Sequence, residues 1–148
     1  MITEAQRVSS AIGQHIDVFL AHTNAEIDTA FSAMADKQIE ALAVTPSPLF
    51  SNRRAQLVTL AVRYAVPAIY PDREIVEGGG LMSYSSSIVD QFRQVGIYAG
   101  RILKGEKPAD LPVMRATKFE FLINLHTAKL LGLDIPPTLL ATADGVIE

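Results

Sequence analysis

Short apolar runs of strand length alternate along this chain with stretches that carry helix-start signals. Chains patterned this way build α/β layers, with helices packed on a largely parallel sheet. Three capping boxes mark helix starts: Thr3-Glu4-Ala5-Gln6, Thr23-Asn24-Ala25-Glu26 and Ser87-Ile88-Val89-Asp90. In each, a hydroxyl can accept the backbone N–H three residues ahead. The first predicts a helix to about Ile12, ended by Gly13. The second places Ile27, Ala30, Phe31 and Met34 on one face. The third does the same for Ile88, Phe92, Val95, Ala99 and Ile102, four and three apart, with Gly105 as C-cap. A further helix is predicted over residues 51–64, with Leu57, Leu60, Ala61 and Tyr64 inward.

Strands are predicted over residues 16–21, 39–45, 68–70, 81–84 and 118–124. Pro46-Ser47-Pro48 must be a loop, because two prolines remove backbone donors and forbid regular pairing. A short helix over 127–131 stops at Gly132, and a last helical turn over 139–143 follows Pro136-Pro137. Parallel βαβ proteins usually begin with a central strand; this chain begins with a helix, as though a strand before it had been cut away. No repeat and no low-complexity segment interrupts the pattern.

With 148 residues, 49% hydrophobic and 20% charged, one packed domain of ordinary size is expected. A net charge of −3 argues against a nucleic-acid partner, which needs a basic face. The absence of cysteine excludes disulfides and thiolate chemistry but leaves the compartment open. No apolar run approaches the ~20 residues that span a bilayer. The first residues, MITEAQRVSSAIGQ, lack the basic start, apolar centre and small-residue cleavage site of an export signal. The chain as written is therefore expected to be cytoplasmic.

Catalytic signals are weak. His15, His22 and His126 show no metal-ligand spacing, so no metal site is expected, and no Gly-x-Ser-x-Gly elbow is present. Gly78-Gly79-Gly80 lacks a following Lys-Ser/Thr and precedes a strand rather than a helix, so it reads as a bend or hinge rather than a phosphate loop. No cofactor is expected. Binding residues gather instead where open α/β sheets take their ligands, at successive strand ends. Ser47, Pro48 and Asn52 follow one predicted strand, Tyr70, Asp72 and Arg73 the next, and Ser83, Tyr84 and Ser85 the one after. Taken jointly, these hydroxyls, one acid, one base and two aromatic rings suit a small polar or zwitterionic solute with an apolar part. Taken singly, each is an ordinary turn residue. Gly96-x-x-x-Gly100 permits close helix approach and is otherwise uninformative.

The blocks GGLMSYSSSIVDQFRQVGIYAGRILKGEKPADLPV and TKFEFLINLHTAKLLGLDIPPTLLATADGVIE resemble the C-terminal portion of bacterial ABC-transporter substrate-binding proteins of the tryptophan- and tyrosine-receptor type. PSPLFSNRRAQLVTLAVRYAVPAIY resembles the segment before it. The resemblance implies a type I periplasmic-binding fold. In that fold two α/β lobes close on a solute and the closed form docks on a membrane permease, without catalysis and in the periplasm. It implies that residues 1–105 form an incomplete second lobe ending in a crossover helix. Residues 106–148 would then be a connector, strand and short helices packed across the hinge. The cleft-lining positions fall on the same three loops, with Gly78, Gly79 and Gly80 at the hinge. Relatives are about twice this length, the size of two ordinary domains, so a truncated form lacking the first lobe and first strand is implied. Self-association through uncovered apolar surface is then expected. Two other readings share the pattern: the effector-sensing part of a transcription regulator, and a small doubly wound enzyme using Asp72 and a serine.

Overall fold

The computed structural model describes residues 2–148, with only the backbone of Ile2. It divides into two compact units, residues 1–38 and 39–148.

In the first unit, α1 spans Ile2–Ala11 and α2 spans Asn24–Asp36. The start of α2 follows its capping box: Thr23 Oγ1 accepts the Glu26 N–H at 3.3 Å, and Glu26 reaches back to the His22 N–H at 2.7 Å. Its buried stripe is Ile27, Phe31 and Met34. Residues 16–21, expected as a strand, belong to no ladder. A strand needs a neighbour to take its backbone groups, and among the described residues none pairs here; Leu20 stays exposed.

The second unit is built on a five-stranded sheet in the order β1-β2-β3-β4-β5. Its strands are Leu42–Ala43, Ala68–Tyr70, Met82–Ser86, Phe119–Asn124 and Gly145–Ile147. β1, β2 and β3 run parallel, β4 is antiparallel to β3, and β5 is parallel to β4. Parallel neighbours need crossovers. α3 (Pro48–Asn52) and α4 (Arg54–Arg63) make the first, and α5 (Arg73–Glu77) makes the second. The predicted strand over 39–45 shrinks to two paired residues because β2, its one neighbour among the described residues, is three residues long. α3, α5 and β5 were not expected. Pro48 sits in the first turn of α3, where its missing N–H costs nothing.

Leu57, Leu60 and Ala61 of α4, Ile75 and Val76 of α5, and Tyr70, Leu81, Leu122 and Ile123 of the sheet are buried in this unit. α6 (Ile88–Leu103) contrasts with them. It carries the clearest amphipathic pattern of the chain and buries no residue; Phe92 is 70% exposed. After it, a 3-10 turn (Pro108–Asp110) and extended residues lead back to β4, α7 (Leu125–Leu130), α8 (Pro137–Leu140) and β5. The C-terminal tail is thereby part of the sheet. The excursion over residues 88–117 leaves beside β4: Ser86 pairs with Phe119, and the Ser87 N–H donates to the Lys118 carbonyl at 2.9 Å.

Candidate functional site

Since β1, β2 and β3 are parallel and β4 is reversed, one sheet edge gathers three strand C-termini and the start of β4. The nine residues singled out by sequence lie on the strands, loops and short helices of this edge, but not on one surface.

The segments after β1 and β2 are joined by a side-chain bond from α3 to the N-cap of α5. Ser51 Oγ donates to Asp72 Oδ2 at 3.1 Å, half-buried. Ser47 is the N-cap residue of α3 and Asp72 that of α5, yet neither side chain makes a capping bond. Their oxygens are not spent on the helices behind them. Pro48 and Asn52 are exposed on α3. Arg53 and Arg54, at the α3–α4 corner, are exposed, and Arg54 donates to the Ser51 carbonyl at 3.3 Å.

Arg73 is committed elsewhere. Its guanidinium pairs with Glu77 at 2.9 Å and with Glu120 at 3.1 Å. These bonds, Glu77's first, hold its pKa above the ordinary guanidinium range. Glu120 is held below the usual carboxylate range by the Ser87 hydroxyl first, then by Arg73 and Lys118. Glu120 thus ties the α5 loop to the point where the chain leaves for α6. The group is largely solvated, so its ion pairs are screened and each contributes little stability; what it supplies is position.

β3 outruns β2. Tyr70 pairs with Ser83, and residues 84–86 pair only with β4. On this two-stranded ribbon side chains alternate in face. Ser83 and Ser85 share one face with Leu122 and Glu120; Tyr84 lies on the other with Phe121. Tyr84, 57% exposed, stacks on Phe119 with ring centroids 5.5 Å apart, and meets Phe121 edge-on at 6.3 Å. Ser83 is 1% exposed, and its hydroxyl has no hydrogen-bond partner among the described residues. Tyr70 is equally buried, which pushes its phenol pKa well up. The structure therefore brings Ser47, Ser51, Asp72 and Arg73 to one edge. Tyr70 and Ser83 lie beneath it and Tyr84 behind it. Ser51, Ser87 and Glu120 were missed by sequence reasoning. Ser51 sat within a predicted helix, and nothing local marks Glu120, 47 residues from its partner.

The glycine run forms the turn between α5 and β3. Gly79 has φ +106°, a left-handed conformation that side chains rarely adopt. A Cβ on Gly80 would lie 2.8 Å from the Tyr70 ring and 2.9 Å from the Ile75 carbonyl. The turn is also bonded from outside: Thr127 Oγ1 donates to the Gly79 carbonyl at 2.8 Å, and Asn124 Nδ2 to the Val76 carbonyl at 3.2 Å.

Among the described residues no group of three or more His, Cys, Asp and Glu could hold a metal ion, and no helix is long and apolar enough to cross a membrane. The family model described as ABC transporter substrate binding protein matches residues 3–147. Among solved structures, the chain is similar to an ABC domain from Streptococcus pneumonia in complex with L-Trp, with 27% identity and a TM-score of 0.85. That match covers 99% of this chain and 50% of the other. A conserved domain protein from Vibrio cholerae matches at 23% identity and TM-score 0.85, over 98% of this chain and 49% of that one. A ligand-free, open substrate binding protein with adhesive properties from Clostridium difficile matches at 22% identity and TM-score 0.73, over 99% and 48%. The two matches below 25% identity speak to the fold. The chain spans about half the length of the solved structures it matches. No curated protein matches it.

Proposed function

The chain belongs to the ABC transporter substrate-binding protein family, and from that premise we propose that it forms one wall of the ligand cleft in the solute-binding component of an ABC importer. The family is one of binding proteins, not an enzyme class. The observation that carries the proposal is the bond between Ser51 and Asp72, 21 residues apart, which joins two strand-end loops at the sheet edge where α/β proteins take their ligands. Ser47 and Asp72 leave their side-chain oxygens uncommitted to the helices they precede, which suits capture of a small polar molecule.

In this reading the solute is amino-acid-like or a small carboxylate, as the L-Trp complex of one relative suggests. The opposite wall comes from a further lobe, since the matched structures are twice as long. Residues 88–117 make the excursion between the walls, and the loaded protein meets its membrane permease outside the cytoplasm. The glycine turn, Gly78, Gly79 and Gly80, lies beneath the cleft; pivoting belongs to the paired exits at Ser86–Ser87 and Lys118–Phe119. One wall alone binds weakly. Titrating isotope-labelled chain with free amino acids and small carboxylates, read by amide NMR shifts, tests the proposal. Millimolar binding mapped to residues 45–52 and 70–74 supports it. Shifts confined to α1, α2 or α6, or none for any solute, would refute it.

A further inference from the structure

We infer that this wall recognises the ammonium end of its solute, with Asp72 as the ion-pairing group and Ser51 as the residue that aims it. The inference rests on the reading of this edge as a ligand wall and adds the charge of the group bound there.

The argument is a comparison of what each charged group at the edge already does. Arg73, the obvious candidate for a carboxylate, is held by two carboxylates within 3.1 Å. An incoming anion would have to displace one of them and would meet Asp72, Glu77 and Glu120 around it. Asp72 stands in the opposite state. Among the described residues its side chain takes part in one hydrogen bond, from a neutral hydroxyl, and in no ion pair. An ionised carboxylate has about four acceptor positions, so capacity for a multi-donor cation remains. The Ser51 bond holds the carboxylate between the two loops, and partial burial reduces the screening an exposed pair would suffer. Arg53 and Arg54 are the competing cations. They make no ion pair among the described residues, but both are exposed and Arg54 is tied to the Ser51 carbonyl. A solvated guanidinium gains little from an anion in water. An ammonium has three donors of its own. One would replace water on Asp72, and the Ser47 hydroxyl on the adjoining loop can accept another.

The test uses the 148-residue chain, isotope-labelled, with amide NMR titrations at mildly acidic pH. Trp, Leu and Ser are each offered as the free amino acid, as the amide (ammonium without carboxylate) and as the N-acetyl derivative (carboxylate without ammonium). The expected result is that free amino acids and amides shift residues 47–52 and 70–74, while N-acetyl derivatives do not. Asp72→Asn keeps an acceptor for Ser51, so the loops stay joined; it should weaken amide binding at least about tenfold. The double variant Arg53→Gln/Arg54→Gln should change it by less than about twofold. N-acetyl derivatives binding as well as the amides, or better, would overturn the inference and leave the ligand wall standing. So would amide binding that survives Asp72→Asn. If none of the nine compounds shifts this edge, the ligand-wall reading itself fails.

Discussion

Asn124 offers the sharpest test of how this unit is held together. It is the last residue of β4 and the N-cap of α7, and it is buried. Its Oδ1 accepts the Thr127 N–H at 3.0 Å, and its Nδ2 donates to the Val76 carbonyl at 3.2 Å. One side chain thus caps α7 and pins the end of α5. Asn124→Ala removes both. Loss of the cap costs about 1 kcal/mol, and the amide–carbonyl bond is worth roughly 0.5–1.5 kcal/mol net. The Val76 carbonyl keeps the Gly79 N–H at 3.0 Å, so no large penalty for an orphaned acceptor is added. The total is about 1.5–2.5 kcal/mol. Asn124→Ser keeps a capping oxygen but is too short to reach Val76, and should cost only about 1 kcal/mol. All four tyrosines lie within residues 39–148 and there is no tryptophan, so tyrosine fluorescence reports on this unit alone. With a urea slope of about 2 kcal/mol/M, Asn124→Ala should lower the midpoint by about 0.7–1.3 M, and the serine variant by about 0.5 M. Equal losses for serine and alanine would show that the cap contributes nothing. A loss below about 0.5 kcal/mol for alanine would refute the account of Asn124 as a two-sided pin.

Gly80→Ala should destabilise the unit by about 1–3 kcal/mol, because its Cβ meets the Ile75 backbone carbonyl, which cannot swing aside; Gly96→Ala, with nothing within 4 Å, should be neutral or stabilising in the same urea titration. Tyr70 is buried as the neutral phenol with a raised pKa, so its contribution is complete below the ordinary phenol pKa of about 10 and is lost as pH rises through the folded value; Tyr70→Phe should flatten that alkaline loss in a series of melts, and an unchanged slope would count against it. Phe92→Asp should leave unfolding within about 0.5 kcal/mol of the parent, since α6 buries nothing. The same change should reduce any concentration-dependent rise in sedimentation coefficient, and a large stability loss would mean that α6 is packed.

What could be read from the sequence was what depends on near neighbours. The hydroxyls of Thr23 and Ser87 cap α2 and α6 as their spacing predicted, because each partner lies three residues ahead. What could not be read depends on distant neighbours. Residues 16–21 have strand composition, but a strand exists only if another pairs with it. β5 is three residues led by a glycine, and it is a strand because Leu122, Ile123 and Asn124 lie beside it. At the candidate site, loop order was legible from strand order, whereas the Ser51–Asp72 bond and the commitment of Arg73 to Glu120 span 21 and 47 residues. The splitting of Ser83 and Ser85 from Tyr84 was within reach, since neighbouring strand residues face opposite ways.

α6 marks the boundary between the two kinds of information. Ile88, Phe92, Val95, Ala99 and Ile102 recur four and three apart, and apolar Val89 and Leu103 broaden the stripe. A stripe that wide is what a helix uses against a globular neighbour, where a simple two-helix seam needs less. Five of these side chains are more than half exposed. Fully burying an apolar side chain of this size stabilises by about 1.5–3 kcal/mol, so covering even three outweighs the loss of any single hydrogen bond in the unit. Periodicity therefore states that α6 presents an apolar face broad enough to pack against a globular neighbour.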